Sequence, residues 1–126
     1  MPARILVVED NPANLEVMSY LLKAFGYGVL TALDGESGVA TAIEQRPDLI
    51  LCDVQLPRLD GYGVVQRLKA HAELRHTPLI AVTAFAMVGD RERMLEAGFD
   101  GYLSKPIAPD YFAAQIRDFL QRSEQS

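Results

Sequence analysis

Residues 5–12, ILVVEDNP, join a continuous apolar run to a pair of acids and then to an Asn-Pro dipeptide. The first four are apolar and mostly β-branched, which is typical of a strand covered on both faces in a parallel sheet. Asn11 is a favoured helix-capping residue, and Pro12 suits the first position of a helix. The stretch therefore predicts a strand followed directly by a helix, with Glu9 and Asp10 at the junction between them.

Outward from this stretch, the same alternation of apolar run and amphipathic segment occurs five times. The predicted strands are residues 5–8, 29–33, 49–52, 79–83 and 102–103, the last inferred mainly from its position. The predicted helices carry apolar stripes at three- and four-residue spacing: Leu15, Met18, Leu21, Leu22 and Phe25; Val39, Ala42 and Ile43; Val64, Val65 and Leu68; Met94, Leu95 and Ala97; Phe112, Ile116, Phe119 and Leu120. Five βα units with short connections predict an α/β fold, a doubly wound parallel sheet with five helices on its two faces.

Composition restricts the classes of protein that the chain can belong to. Its 126 residues predict one domain spanning 1–126, with an ordered core at about 4–122 and a short polar tail. Twelve Lys and Arg against 17 Asp and Glu give a net charge of −5, which argues against nucleic-acid and membrane-surface binding. The single cysteine excludes a disulfide framework within the chain. Because no signal segment and no long apolar run is visible, we expect a cytoplasmic protein.

Polar residues stand at the predicted carboxyl ends of four strands, where a doubly wound sheet collects its chemistry. Glu9 and Asp10 follow the first strand, Asp53 follows the third, Thr83 ends the fourth and Lys105 follows the fifth. Three carboxylates at one edge repel one another and favour a hard divalent cation such as Mg²⁺. Two plainer interpretations remain open at this point: Asp10 or Asn11 caps the first helix, and Asp53 and Lys105 form a simple ion pair.

Four motifs carry a resemblance to a known family: residues 7–11 (VVEDN), 51–61 (LCDVQLPRLDG), 82–84 (VTA) and 103–106 (LSKP). Together they resemble the receiver domain of two-component response regulators over nearly the whole chain, and within that family the stand-alone receivers of the DivK kind. The resemblance implies a flavodoxin-like sheet of strand order 2-1-3-4-5. It also implies a signalling protein that catalyses only its own Mg²⁺-dependent phosphorylation and dephosphorylation.

The resemblance assigns a role to each matching residue. Asp53 is the expected phosphoacceptor for a phosphohistidine of a histidine kinase or phosphotransfer protein. The remaining roles form one set: Glu9, Asp10, Asp53 and the backbone carbonyl of Gln55 hold Mg²⁺; Thr83 and Lys105 contact the phosphoryl group; Tyr102 is the aromatic switch; Lys105–Pro106 is a candidate cis peptide. The expected docking face for a downstream protein is formed by helix four, strand five and helix five. Phe85 and Met87, in the loop after Thr83, are either core residues or partly exposed for that partner.

Three other functions compete with this interpretation. A haloacid-dehalogenase-type phosphatase also uses a strand-end aspartate, but it needs a second aspartate two residues further on, where this chain has Gln55. A flavodoxin-like cofactor carrier cradles phosphate after its first strand, where Glu9 and Asp10 repel anions. A receiver that serves only for docking is expected to lack one of the five site residues, and none is lacking.

Overall fold

Strands and helices alternate along the chain, as the sequence predicts. The computed structural model describes residues 2–84 and 88–125. The strands are β1 (Arg4–Val8), β2 (Gly28–Ala32), β3 (Leu49–Asp53), β4 (Leu79–Thr83) and β5 (Gly101–Ser104). The helices are α1 (Pro12–Ala24), α2 (Gly35–Gln45), α3 (Gly61–Lys69), α4 (Val88–Ala97) and α5 (Pro109–Gln125), with a short 3₁₀ turn at Ala72–Leu74.

The five strands form one parallel sheet in the order β2-β1-β3-β4-β5, which confirms the expected topology. The chain runs outward from β1 to β2 and then crosses back over β1 to form β3. Ligand sites of doubly wound sheets lie at such a reversal, beside the carboxyl ends of the strands. The fold therefore places the ends of β1 and β3 at the expected position of a site.

The sheet separates two apolar cores. On one face α1 and α5 pack against alternate strand residues such as Ile5, Leu51 and Val82. On the other face α2, α3 and α4 pack against the intervening residues, such as Leu6 and Ala81. Both faces are covered, which explains why β1, β3 and β4 are continuous apolar runs in the sequence.

Local capping chemistry fixes where the helices begin and end. The side chain of Asn11 accepts hydrogen bonds from the N–H groups of Ala13 and Asn14, so Asn11 is the cap of α1. Gly26 and Gly98 follow α1 and α4 with φ of 93° and 119°, a conformation that favours glycine. The predicted start of α1 and the predicted stops at both glycines are confirmed.

Three apolar residues of the predicted patterns lie outside the cores. β2 ends at Ala32, which leaves Leu33 56% exposed beyond the strand. Leu95 is 45% exposed because its neighbour Met94 occupies the buried side of α4. Phe25 follows the end of α1 and is 38% exposed.

Within the described ranges, no helix combines the length and the apolar character that crossing a membrane requires.

Candidate functional site

The register of the sheet brings Glu9 and Asp53 together. Val8 of β1 lies opposite Cys52 of β3, so the next residue of each strand, Glu9 and Asp53, falls side by side at the carboxyl edge. Glu9 is fully buried and Asp53 is 6% exposed. Two carboxyl groups buried at adjacent strand ends are costly unless a cation or another partner compensates for them.

Lys105 supplies that compensation to both groups. Its Nζ donates hydrogen bonds to Glu9 Oε1 at 2.6 Å and to Asp53 Oδ2 at 2.8 Å. The Lys105 N–H donates to the carbonyl oxygen of Thr83 at 2.9 Å, which anchors the lysine beyond the end of β5. The peptide bond between Lys105 and Pro106 is cis, as predicted.

Asp53 is also held by its own loop. Its Oδ1 accepts a hydrogen bond from the N–H of Gln55 at 2.9 Å, while Oδ2 faces Lys105. The carboxylate is thus fixed by one donor at each oxygen. The plain Asp53–Lys105 ion pair is therefore only part of the arrangement, since the ammonium is shared with Glu9.

The environment of the cluster shifts two ionisation equilibria. Burial raises the pKa of Glu9 from 4.5 to about 7; the neighbouring carboxyl group of Asp53 adds to this shift and Lys105 opposes it. Burial by itself lowers the pKa of Lys105. Its hydrogen bonds to Asp53 and Glu9 outweigh that effect, and the net result is a raised pKa.

The acidic residues also fit a divalent cation. Carboxylate oxygens of Glu9, Asp10 and Asp53 all lie within 4.8 Å of one another. Glu9 Oε2 is buried and has no hydrogen-bond partner among the residues that the structure describes. Asp10 is exposed and is not the cap of α1, because Asn11 performs that role. Three carboxylates, one of them with an unsatisfied buried oxygen, match the ligand preference of Mg²⁺.

A cleft of about 590 Å³ lies beside this cluster and is lined by Asp10. Asp10, Gln55 and Thr83 lie on its inner side, and Thr83 is buried at the end of β4. Residues of α3 and α4 form the outer wall, where the guanidinium of Arg93 lies 4.5 Å from the ring centroid of Tyr62. The cleft leaves the residues beside Asp53 open to a ligand from solvent.

Two features of the site are not apparent from sequence patterns. A Cβ at Gly61 would lie 2.7 Å from Asp53 O and from Val54 Cα, so only glycine lets α3 begin against the end of β3. In the sequence, this close contact is signalled only by a single glycine after an aspartate, which is a weak indication. Arg93 and Tyr62 belong to different helices, so no local spacing indicates their contact.

The remaining predicted site residues have the following places. Tyr102 lies on β5 opposite Ala81, is partly buried and packs against the core on the α2–α4 face. Phe85 and Met87 lie outside the described residues. Cys52 is buried in the same core, and burial raises the pKa of its thiol, which is typical of a small core residue.

Sequence comparison assigns the chain to a family of signalling proteins. It belongs to the response regulator receiver domain family, which it matches over residues 5–117. Receivers of this family accept a phosphoryl group on an aspartate with Mg²⁺ in two-component signalling.

Particular relatives agree with this assignment. The chain is 45% identical to the polar-differentiation response regulator DivK of Brucella anthropi over 120 residues, which are 95% of this chain and 98% of that protein. The receiver domain of a Pseudomonas aeruginosa sensor histidine kinase, solved with a magnesium ion coordinated in its active-site cleft, is 42% identical, with a TM-score of 0.85 and full coverage of both chains. A response regulator structure from Chloroflexus aurantiacus is 30% identical with a TM-score of 0.91, covering 96% of this chain and 99% of that one.

Proposed function

We propose that this chain accepts a phosphoryl group on Asp53 from a phosphohistidine of a histidine kinase or phosphotransfer protein. One observation carries the proposal: the Asp53 carboxylate, held by Lys105 and the Gln55 N–H, lies beside two further carboxylates, one of which, Asp10, lines the cleft. The reaction forms a bond between an Asp53 oxygen and phosphorus and breaks the phosphorus–nitrogen bond of the donor imidazole. The chain thereby catalyses its own phosphorylation and turns over no other substrate.

Each side chain of the site has a distinct role in this reaction. The Gln55 N–H and Lys105 fix the orientation of the Asp53 carboxylate, so that little conformational entropy is lost when it attacks. The Lys105 ammonium, already bonded to Asp53, lies where it can pair with the oxygens of a phosphoryl group attached to that carboxylate. Glu9, Asp10, Asp53 and the carbonyl oxygen of Gln55 would hold Mg²⁺, which when bound neutralises charge on the transferred group.

The signal leaves the site through Thr83 and Tyr102. In the register of β4 and β5, Ala81 pairs with Tyr102 and Thr83 pairs with Ser104, so Thr83 and Tyr102 lie on the same face of the sheet. A phosphoryl group on Asp53 brings three strong acceptor oxygens, to which the Thr83 hydroxyl donates. The inward movement of Thr83 leaves space that the Tyr102 ring fills. The surface of α4, β5 and α5 then changes shape and docks a downstream protein.

Intact-mass spectrometry after incubation with acetyl phosphate and Mg²⁺ tests the acceptor. The wild type is expected to gain one phosphoryl group, and Asp53→Asn is expected to gain none. Asp60→Asn is the matched control: Asp60 lies on the same cleft, and asparagine preserves its capping hydrogen bond to the Gly63 N–H. Phosphorylation of Asp53→Asn to the wild-type extent would overturn the assignment.

A further inference from the structure

The outer wall of the cleft carries a cation that the proposed function does not use. Arg93, on α4, is the one lysine or arginine among the described residues that line the cleft. The ammonium of Lys105 is already shared between Glu9 and Asp53. Arg93 is therefore the cation that a molecule entering the cleft meets first.

An aromatic ring restricts Arg93 without occupying its hydrogen-bond donors. The Arg93 guanidinium lies 4.5 Å from the ring centroid of Tyr62, and the Tyr62 ring packs edge-on against Phe99, with 6.2 Å between centroids. Arg93 forms no ion pair with any residue in the described ranges. A ring covers one face of the guanidinium, whereas the N–H groups lie in its plane and stay available to a ligand.

The charges around Arg93 give it a distinct electrostatic role. The described lining of the cleft includes three carboxylates, those of Asp10, Asp60 and Asp90. They repel an anionic phosphodonor. A magnesium ion at the acidic cluster would compensate for this on the inner side, beside Asp10. On the outer wall, Arg93 provides the attraction.

The direction of phosphoryl transfer brings the leaving group into the same cleft. Gln55 follows Asp53 by two residues, Thr83 ends the neighbouring strand, and both line the cleft. A donor that reaches Asp53 from solvent therefore comes through the cleft. Because the attacking and leaving atoms are roughly in line across phosphorus, the leaving group points away from Asp53 and into the space that Arg93 borders.

Two classes of small phosphodonor differ in the charge of their leaving group. With an acyl phosphate, the Asp53 oxygen bonds to phosphorus, the bond from phosphorus to the acyl oxygen breaks, and its electron pair stays on that oxygen as a carboxylate. With phosphoramidate, the phosphorus–nitrogen bond breaks and nitrogen leaves as neutral ammonia. The planar fork of a guanidinium matches a carboxylate and stabilises the negative charge that develops on it.

We propose that Arg93 is a specificity-determining residue that binds the carboxylate leaving group of small acyl phosphates and so favours them as donors. The inference deepens the proposed function and rests on it, because Asp53 must be the acceptor. In the alternative, Arg93 only joins α4 to α3 through its contact with Tyr62. The two roles differ in whether the donor matters.

Phosphorylation rates with donors of both classes test the role of Arg93. Acetyl phosphate and carbamoyl phosphate release a carboxylate, whereas phosphoramidate and monophosphoimidazole release a neutral nitrogen base. Intact-mass spectrometry of quenched samples with Mg²⁺ gives kcat/KM for each donor. Arg93→Ala should lower kcat/KM by about tenfold with both acyl phosphates and by less than about twofold with both nitrogen-linked donors.

Two further variants separate the leaving-group contact from general effects. Arg67→Ala removes an exposed arginine of α3 that is not among the described residues lining the cleft, and it should keep all four rates within about twofold of the wild type. Arg93→Lys keeps the charge but loses the planar fork, so an intermediate loss with the acyl phosphates is expected. Isothermal titration should give Arg93→Ala the Mg²⁺ affinity of the wild type.

Equal losses with all four donors, or a weakened Mg²⁺ affinity that accounts for the loss, would give Arg93 a structural role and overturn the inference. Unchanged rates with the acyl phosphates in Arg93→Ala, or an equal selective loss in Arg67→Ala, would also overturn it. In each of these cases Asp53 is still phosphorylated, and the proposed function survives. A wild type that gains no phosphoryl group from any donor, or an Asp53→Asn variant that gains one, defeats the proposed function as well.

Discussion

Glu9 is a carboxylic acid with no exposed surface, hydrogen-bonded to one ammonium and next to a second carboxyl group. Burial penalises its ionised form, and Lys105 offsets only part of that penalty. The protonation of Glu9 therefore links the stability of the domain to pH.

The pH dependence of the free energy of unfolding, measured in the presence of a chelator, should reveal the titration of Glu9. Its pKa is about 7 in the folded state against an ordinary 4.5, so between these values the folded state retains a proton that the unfolded state has released. The free energy of unfolding should consequently fall as pH rises through this window. Glu9→Gln removes the titrating proton while keeping an oxygen for Lys105, and should show a flatter profile in urea denaturation at several pH values.

The exposed carboxylate of Asp10 provides the control for this measurement. In the variant Asp10→Asn, the free energy of unfolding should depend on pH as it does in the wild type, because Glu9 still titrates. A difference between wild type and Glu9→Gln that stayed constant from pH 5 to pH 8 would contradict the assignment of the slope to Glu9.

Asp53→Asn should stabilise the metal-free domain. The substitution removes one of the clustered negative charges and leaves Lys105 paired with Glu9, so we expect the melting temperature in chelator to rise by a few degrees, equivalent to about 1 kcal/mol. Saturating Mg²⁺ at about a hundred times Kd should stabilise the wild type by about 2.7 kcal/mol, and the variant by less. Calorimetry with and without Mg²⁺ measures both effects, and a lower melting temperature of the variant in chelator would refute the repulsive cluster.

At the scale of elements, the start of α2 packs closely against the loop that carries Gln55. A Cβ built on Gly35, at the start of α2, would lie 2.2 Å from the carbonyl oxygen of Leu59 in the loop between β3 and α3. The absence of a side chain at Gly35 thus lets helix and loop approach closely. Gln55 lies in the same loop, four residues before Leu59.

Two glycine-to-alanine substitutions should have opposite effects. Gly35→Ala forces the loop away and should destabilise the domain by about 1–3 kcal/mol, and it should also weaken Mg²⁺ binding. Gly89→Ala, in the first turn of α4, meets nothing within 4 Å and should stabilise by about 0.5–1 kcal/mol. Urea denaturation and a Mg²⁺ titration compare the two, and equal stabilities would show that the contact at Leu59 is without effect.

The elements differ in how much of them the sequence determines. α1 could be predicted at both ends, because Asn11, Pro12 and Gly26 act through local capping chemistry. The residues that follow β1 and β3 could be placed at one edge because both strands are apolar runs ending in acids. The bond from Lys105 to Glu9 could not be predicted, since it depends on the register of β1 and β3 and on the path of the chain after β5.

Side-chain exposure was the least predictable property of the helices and strands. Leu95 fits an apolar stripe by spacing, yet the orientation of α4 gives the buried position to Met94. Leu33 continues the apolar run of β2, but the strand ends one residue earlier. Both outcomes depend on how whole elements pack, which the local sequence does not specify.

At the scale of the whole molecule, the route from Thr83 to Tyr102 predicts how partner affinity depends on phosphorylation. In the wild type, affinity for the downstream partner should change on phosphorylation. Thr83→Ala and Tyr102→Ala should lose most of that change while Asp53 is still phosphorylated. Isothermal titration with both forms of each protein measures it, and Tyr20→Ala, an exposed tyrosine of α1, is the control that should behave as wild type. Retention of the full change by both variants would show that the route is wrong.

The division of the molecule by its sheet has a consequence for timing. The acids lie at the ends of β1 and β3 in the middle of the sheet, whereas the proposed docking surface borders β5 at its edge, with β4 between them. Helix α4 nevertheless belongs to both, because Asp90, Arg93 and Met94 line the cleft beside the acids. On the proposed function, a donor over the cleft and a downstream protein on α4, β5 and α5 would therefore compete for one helix, so the domain should receive its signal and pass it on in turn.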